Sequence, residues 1–326
     1  MARPIVLILL AILLMAIPVV SSALGASYVT VEFRRFLIFA IAAVSLDLIL
    51  GYGGMISFGH AAYFGLGAYT VGVAHWAVAT LQWPAWITEP LFSWCVAAVA
   101  SAAAALLVGA ISLRTSGVYF IMITLAFAQL VYFIFVGLKG VGGDDGLRFR
   151  ADRQLLGLLD LSNRMTFYFI VLFILGCVLL LCHRLTKSQF GMVIQGCRDN
   201  ELRMRALGYE TYAYRLLCFT IAGALAGLAG ALFATHESFV SPQLMHWSRS
   251  GEFIVMVLLG GMATIYGPIF GAIVYLSLES FLPEYNEHWM MFFGPALILA
   301  ILLAKQGLFG SLPAQVEPPS VERGRA

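Results

Sequence analysis

Long apolar runs alternate with short polar stretches along almost the whole chain. A helix that crosses a lipid bilayer needs about 20 mostly apolar residues, and the lack of water there forces its backbone groups to bond within the helix. The runs therefore predict helical segments at 4–24, 36–50, 60–80, 91–113, 117–138, 166–183, 216–235, 253–264, 268–282 and 289–304. Two pairs of short segments meet at glycine clusters, 51–59 and 260–267, which are either breaks within the bilayer or true loops. We therefore expect eight to ten transmembrane helices.

Composition narrows the class of protein. Of the 326 residues, 61% are hydrophobic and 11% are charged, and the mean hydropathy is +0.91. Soluble domains carry about 25% charged residues, so a soluble enzyme, a disordered chain and a secreted disulfide scaffold are excluded. We predict an all-α integral membrane protein, a polytopic helical bundle, with a transmembrane domain over 1–311 and a disordered cytoplasmic tail over 312–326.

The charges are too few and too balanced to indicate a nucleic-acid partner, since the net charge is only +2. The five cysteines form no C-x-x-C pair and are interpreted as small apolar residues, not as disulfides or a metal site. The first apolar run, followed by Ser21-Ser22-Ala23, also fits a cleavable signal peptide. Because it is long for such a peptide, we interpret it as an uncleaved first span.

The distribution of basic residues predicts the orientation. With the N-terminus in the cytoplasm and ten alternating crossings, more Lys and Arg fall on the inside, while acidic residues are more numerous outside. The largest basic group lies at 184–215. We therefore expect this segment and both termini to be cytoplasmic.

A faint internal repeat links the two glycine clusters. Both 53–60 and 260–268 read Gly-Gly-Met, a short spacer and an aromatic residue before glycine. Glycine-interrupted short spans in corresponding halves of a chain indicate the translocation region of a transporter, although a glycine-rich membrane protein also offers such coincidences. The candidate pathway residues are Asp47, Gly53, Gly54, Ser57, His60, Gly260 and Gly261. By contrast, Gly223-x-x-x-Gly227 and Gly267-x-x-x-Gly271 are assigned to helix packing.

Three ionisable residues within or beside the spans are ambiguous. A carboxylate at mid-span costs about 2.5–3.5 kcal/mol, so Asp47 either faces the pathway or is satisfied by Ser45, by a neighbouring helix or by protonation. Glu279 is expected to reach towards the membrane interface. His60 contacts substrate or closes a local hydrogen bond, and we favour the structural role.

The segment 184–215 is the least lipid-like internal stretch. Asp199 or Asn200 can cap a short helix that Gly208 ends in the left-handed conformation. Leu202 and Ala206 share a face of that helix. The pattern is typical of a docking element for a soluble partner, and a solvated basic loop is the alternative.

Several blocks together resemble a known family. They are 45–69, which contains Gly53-Gly54-Met55-Ile56-Ser57-Phe58-Gly59-His60, then Thr124-Leu125-Ala126-Phe127-Ala128-Gln129, Gly142-Gly143-Asp144-Asp145-Gly146-Leu147, the segment 190–208, and 260–272. In this order they resemble the LivM-type permeases of branched-chain amino-acid ABC importers. One departure is Asp47, where the family more often has Asn.

The resemblance implies a multi-pass permease of the bacterial inner membrane that works with other subunits. These are a LivH-type permease as heterodimer partner, two cytoplasmic ABC ATPases and a periplasmic substrate-binding protein. It also implies that 190–208 is received by an ATPase, with the coupling candidates Gly191, Arg198, Asp199, Asn200, Glu201, Ala206 and Gly208. The outer loop with Gly143, Asp144 and Asp145 is a candidate contact for the binding protein, although a solvated loop is the default interpretation.

The sequence lacks the common nucleotide-binding and catalytic motifs, as expected for a transport subunit without its own ATPase. It contains no G-x-x-x-x-G-K-[ST] phosphate-binding loop, no G-x-S-x-G and no H-E-x-x-H, so we expect neither catalysis nor a cofactor. Two other functions stay open. A sister permease would carry urea, short amides or aromatic acids, and an ion-coupled secondary transporter would use Asp47 for coupling.

Overall fold

A computed structural model describes residues 2–23, 25, 27–150, 154–155, 159–285, 288–303 and 307. The predicted tail, 312–326, lies outside the described residues. The described part is almost entirely helical. Its α-helices are α1 (Ala2–Ala23), α2 (Ser27–Asp47), α3 (His60–Leu81), α4 (Pro90–Ser112), α5 (Val118–Gly137), α6 (Arg164–Lys187), α7 (Gln189–Ala206), α8 (Thr211–Glu237), α9 (Trp247–Gly260), α10 (Gly267–Tyr285) and α11 (Trp289–Leu303).

The ten apolar segments predicted from the sequence all form helices. Five of them, α3, α4, α5, α6 and α8, are long and apolar enough by length and composition to cross a membrane. Shorter apolar helical stretches lie in α1, α10 and α11. The extra helix, α7, falls in the polar segment between α6 and α8. The predicted helical membrane-protein fold is therefore confirmed.

The predicted start of the second helix is wrong by nine residues. We expected it at 36, but α2 begins at Ser27 and includes Arg34 and Arg35. Both arginines have partners: Arg34 lies 3.0 Å from Nδ1 of His236, and Arg35 forms an ion pair with Glu279 at 3.5 Å. Hydropathy counts both arginines as polar, so the predicted segment starts just after them. Their contacts with α8 and α10 are not visible in the local sequence. Glu279 is consequently paired with α2, and its reach towards the membrane interface stays a prediction.

Small residues let the central helices approach closely. Helix α2 is buried among α1, α6, α8, α9 and α10, and α8 packs along α3 and α4. A Cβ atom at Gly227 would overlap Ser101, and one at Gly223 would overlap Ala105. On α10, a Cβ at Gly271 would overlap the Met256 carbonyl. The packing role predicted for these glycine pairs is confirmed.

Short extended pairs lie beside the helices. Strand β1 (Leu147–Arg148), after α5, pairs antiparallel with β4 (Phe239–Val240), after α8, with Leu147 opposite Val240. Strands β2 (Gln154–Leu155) and β3 (Leu159–Asp160) form a second pair. The loops that follow α5 and α8 therefore lie at one end of the bundle. The start of α8 contacts α7, so α7 lies at the other end, about 40 Å away along the 27-residue α8.

Candidate translocation and coupling site

The first predicted break is a distorted helix end followed by irregular backbone. Helix α2 passes into one π-helical turn, Leu48–Tyr52, and the chain leaves helical geometry from Gly53 to the start of α3. Gly54 has a φ of +64°, which only glycine adopts without strain. The Met55 backbone N–H donates to the Ile49 carbonyl at 2.8 Å, which closes the turn. Both Gly53 and Gly54 thus belong to a real interruption of the helix.

The second predicted break separates α9 from α10. Gly260 ends α9, Gly261 has a φ of +117°, and Ala263 has a φ of +56°. The Gly260 Cα lies against the Gly267 carbonyl with no space for a Cβ atom. A left-handed alanine is uncommon, so the surrounding contacts hold this backbone in place.

The two breaks touch each other through Asp47. Its Oδ1 accepts a hydrogen bond from the Ala263 backbone N–H at 2.9 Å, and the residue is 1% exposed. A Cβ atom at Gly51 would overlap both the Asp47 carboxylate and the Ala263 backbone. Of the partners considered from the sequence, a neighbouring element bonds Asp47, whereas the Ser45 hydroxyl donates to the Ala42 carbonyl. The structure thus brings the two glycine clusters together with the buried acid between them.

His60 and Ser57 lie inside the protein at the start of α3. The His60 Nε2 atom is 2.7 Å from the Ser45 hydroxyl, and its ring packs edge-on against Tyr63 and Phe253. The Ser57 hydroxyl accepts from the Gly59 backbone N–H at 3.2 Å. Both side chains are fully buried, so in this conformation they close local hydrogen bonds.

Two further residues satisfy the start of α3, and the sequence analysis did not single them out. The first N–H groups of a helix have no partner within the helix. Here the Ala61 N–H donates to the Ser250 hydroxyl of α9 at 2.9 Å, and the Phe58 N–H donates to the Thr124 hydroxyl of α5 at 3.3 Å. Thr124 lies in one of the family-like blocks, but Ser250 carries no local signal that could have revealed it.

The coupling segment is a bent helix. Ser188 caps its start, and Gly191 packs so closely on the end of α6 that a Cβ atom would overlap the Thr186 carbonyl. The helix bends at Asn200, whose φ of −160° and ψ of 97° are non-helical, and whose Oδ1 accepts from the Arg203 N–H at 2.9 Å. Gly208 follows with a φ of +88°. The predicted cap and the predicted left-handed end are both confirmed.

Arg198 connects this segment to the first break. Its guanidinium donates to the Gly51 carbonyl at 2.8 Å and to the Asp199 carboxylate at 3.1 Å. The stem of the same side chain lies over Gly54, where a Cβ atom would contact it. A displacement of α7 would therefore act directly on the backbone that also contacts Asp47.

Glu201 holds the end of α7 to the start of α8. Its carboxylate accepts hydrogen bonds from Arg205 at 2.6 Å, from Arg215 at 2.9 Å and from the Thr211 hydroxyl at 3.2 Å. Such multiple charge-assisted bonds fix an element more firmly than one exposed ion pair does. The side chain most able to meet a partner is Leu202, which is 78% exposed.

Exposed residues lie beside Glu201 on the outer side of α7. Ala206 and Leu207 are exposed beside Leu202. Cys197, on the inner side of α7, is buried, and burial raises the pKa of its thiol, as expected for a packing residue. The helix thus turns apolar residues both to the protein and to the outside.

The loop after α5 is built on glycines and lies at the end of the bundle opposite α7. Gly142, Gly143 and Gly146 all have positive φ values, and a Cβ atom at Gly146 would overlap the Val240 carbonyl. Gly143 is buried, whereas Asp144 and Asp145 are exposed. These two carboxylates are therefore not brought to the breaks but lie exposed at the end opposite α7.

Comparison with known proteins places this geometry in context. Residues 29–302 match the family described as the permease component of branched-chain amino acid transport systems. The high-affinity branched-chain amino acid permease LivM of Salmonella typhimurium is 28% identical over 295 residues, which cover 83% of this chain and 68% of the relative. LivM of Escherichia coli is 27% identical with the same coverage.

A more distant relative matches over nearly its whole length. The probable LivM permease of Methanocaldococcus jannaschii is 24% identical over 327 residues, which cover 87% of this chain and 93% of the relative. No solved structure matches the chain significantly. The family match, 29–302, includes both glycine breaks and α7.

Proposed function

The chain belongs to the permease-component family of branched-chain amino acid transport systems, and we propose that it forms one half of the pore of an ABC importer. The cargo is a branched-chain or related amino acid, taken up across the bacterial inner membrane. The other half of the pore is a LivH-type permease, two cytoplasmic ABC ATPases supply the energy, and a periplasmic protein delivers the substrate. As a member of this family, the chain is a multi-pass membrane permease.

One observation carries the proposal: a continuous line of contacts joins the coupling helix to both breaks. Arg198 on α7 bonds the Gly51 carbonyl, Gly51 lies against Asp47, and Asp47 bonds the Ala263 N–H. In the proposed mechanism, ATP-driven closure of the ATPases moves α7 and pulls on the first break. Because the breaks share Asp47, both must rearrange together, which changes the side on which the pathway is open.

The line of contacts also supports a proposal for the roles of the candidate pathway residues. Irregular backbone is tolerated at membrane depth only where it is buried in protein or lines an aqueous cavity. We infer that Gly53, Gly54, Gly260 and Gly261 line the pathway when the breaks separate. The fully buried Ser57 and His60 then hold the start of α3, and do not bind substrate.

The position of the charged elements supports the proposed orientation. Helix α7, within the basic segment 184–215, and the loop with Asp144 and Asp145 lie at opposite ends of the bundle. Cytoplasmic loops carry an excess of Lys and Arg, so α7 and both termini are cytoplasmic in the proposal. The exposed carboxylates of the outer loop then face the periplasm and the binding protein.

The test is uptake of labelled leucine into proteoliposomes that hold this chain, its partner permease and the ATPases, with loaded binding protein outside. We expect uptake that requires both internal ATP and this chain and that excess urea does not reduce. The matched control is the same assembly with a hydrolysis-deficient ATPase. This assembly should bind ATP but should not transport leucine.

Other outcomes would change the function. Uptake that persists without ATP would contradict the importer mechanism and favour an ion-coupled transporter. Transport of urea or an amide in place of leucine by the same assembly would support the importer mechanism but contradict the proposed substrate. If leucine uptake and amide transport both continue when this chain is omitted, the chain has no role in the pore.

A further inference from the structure

A second charged cluster lies between α2, α9 and α10, separate from the breaks. Arg35 on α2 forms an ion pair with Glu279 on α10 at 3.5 Å. Arg249 and Glu252, both on α9, form another at 2.6 Å. Together the four side chains, called the outer quartet below, carry two positive and two negative charges.

The outer quartet lies within the helices and towards the end opposite α7. Glu279 stands about 9 Å before the end of α10, and Arg35 about 12 Å after the start of α2. The neighbouring residue Arg34 bonds His236 at the end of α8, next to β4. In the proposed orientation this is the periplasmic half of the protein.

The four side chains are about a quarter exposed, with values of 26% to 28%. Charged residues within transmembrane helices almost always face the interior of a bundle or an aqueous cavity, because hydrocarbon cannot solvate them. A lipid-facing position would leave this exposed charged surface without solvation. The face formed by α2, α9 and α10 therefore requires a polar environment outside this chain.

The quartet also holds unused bonding capacity. The Glu279 Oε2 atom is buried and has no hydrogen-bond partner among the described residues. Both guanidinium groups lie on the ring of Phe39, Arg35 at 5.7 Å and Arg249 at 5.9 Å from its centroid. The two positive groups are thereby gathered at one ring, with a carboxylate beside each.

We propose that the outer quartet is a binding site for the zwitterionic head group of the transported amino acid. Arg35 and Arg249 attract the α-carboxylate, and Glu279 and Glu252 attract the α-ammonium group. The quartet has no net charge, like a zwitterionic ligand, and each charge of the ligand meets side chains of opposite charge. An uncharged solute would not form these ion pairs. The inference rests on the proposed function, because the partner permease completes the aqueous path that this face requires.

The first experiment separates ligand binding from a simple structural ion pair. We expect Glu279→Gln to lower the initial rate of leucine uptake by about tenfold or more, as the loss of a charge-assisted bond implies. The double variant Arg35→Glu/Glu279→Arg restores the ion pair between α2 and α10 but reverses its polarity, so its uptake should stay as low. Arg114→Gln, at an exposed arginine outside the quartet, is the matched control and should transport normally.

Co-purification of the partner subunits shows whether each variant assembles. Recovery of normal uptake by the double variant would overturn the inference, because the pair would then serve only to hold α2 to α10. An unaltered assembly that shows no ATP-dependent leucine uptake would instead contradict the proposed function itself. The two failures are therefore distinguishable.

A second experiment needs no variant and decides the question if the variants do not assemble. The unaltered assembly is treated with dicyclohexylcarbodiimide, and modification of Glu279 is measured by mass spectrometry. Millimolar leucine should reduce the modification severalfold, whereas leucinamide, without the carboxylate, and 4-methylpentanoate, without the ammonium group, should not. Glu210, exposed near α7, is the internal control. Equal modification with all three compounds would overturn the inference.

Discussion

Asp47 shows how one residue's position determines its chemistry. Its carboxylate is 1% exposed and bonds the backbone of the second break. A buried polar group left without a partner costs about 1–3 kcal/mol, so the acid and the Ala263 N–H stabilise each other. The tight space around Gly51 adds to this, because no larger residue fits between Asp47 and Ala263.

Substitution of Asp47 separates a structural role from ion coupling. Asp47→Asn keeps an oxygen that can accept from Ala263, so we expect normal assembly and normal uptake. Asp47→Leu removes that acceptor and should destabilise the protein by about 1–3 kcal/mol. Thermal unfolding of the detergent-purified permease and leucine uptake are the two measurements. A stable Asp47→Asn protein without uptake would contradict the structural role and indicate that the carboxylate's proton is needed.

Local signals near these residues were informative to different degrees. The glycine clusters revealed both breaks, since glycine at positive φ is a property of a residue and its immediate neighbours. The partner of Asp47 was not predictable, because Ala263 lies 216 positions away and its backbone N–H has no signature in the sequence. Ser250 is a similar case, as an ordinary serine whose hydroxyl happens to meet the start of α3.

At the scale of elements, α7 combines a rigid attachment with an exposed face. Glu201 fixes it to α8, Gly191 fixes it to α6, and Arg198 reaches the first break. Leu202 is left exposed for a partner. These contacts connect a displacement of α7 to α6, α8 and the first break.

Arg198 is expected to couple ATP hydrolysis to transport. Arg198→Gln loses the charge-assisted bond to the Gly51 carbonyl, for which about 1.5–3 kcal/mol is typical. We expect the ATPases still to co-purify, while leucine taken up per ATP hydrolysed falls about tenfold. Arg203→Gln is the matched control, since that side chain is exposed on the same helix. An equal loss in both variants would show that general positive charge, and not the contact with Gly51, matters.

The sequence predicted the part of α7 that follows Asn200, but not the first part of that helix, 189–199, and not the start of α2. The cap at Asn200 and the end at Gly208 follow from short-range hydrogen bonding and backbone sterics. The start of α2 was missed because Arg34 and Arg35 read as polar, and their partners His236 and Glu279 come from helices far along the chain.

At the scale of the whole molecule, the two ends of the bundle differ in character. One end carries α7, which lies in the segment with the largest group of basic residues (184–215), and the other carries the exposed Asp144 and Asp145 and the pairing of β1 with β4. About 40 Å of α8 separates them, which is enough to cross a bilayer. Helix length allows a crossing in either direction, so the orientation proposed above, with α7 in the cytoplasm, depends on the distribution of Lys and Arg.

Thiol labelling in intact cells tests this orientation. We expect Asp144→Cys to react with a membrane-impermeant maleimide from the periplasm, and Asp199→Cys to react only after the inner membrane is permeabilised. Both residues are exposed, so a difference between them reports the side of the membrane and not burial. The unaltered chain controls for its exposed Cys95 and Cys177. The reverse labelling pattern would contradict cytoplasmic termini and a cytoplasmic α7.

The sequence by itself determined that this is a helical membrane protein, where most of its helices lie, and where two glycine clusters interrupt them. Those properties depend on hydropathy, glycine content and short-range capping, which each stretch of chain carries on its own. Only the tertiary structure decided that the two breaks meet at Asp47, that Arg198 touches the first of them, and that the outer quartet forms between α2, α9 and α10. Those contacts join residues far apart in the chain, and the packing of the helices, not any local pattern, brings them together.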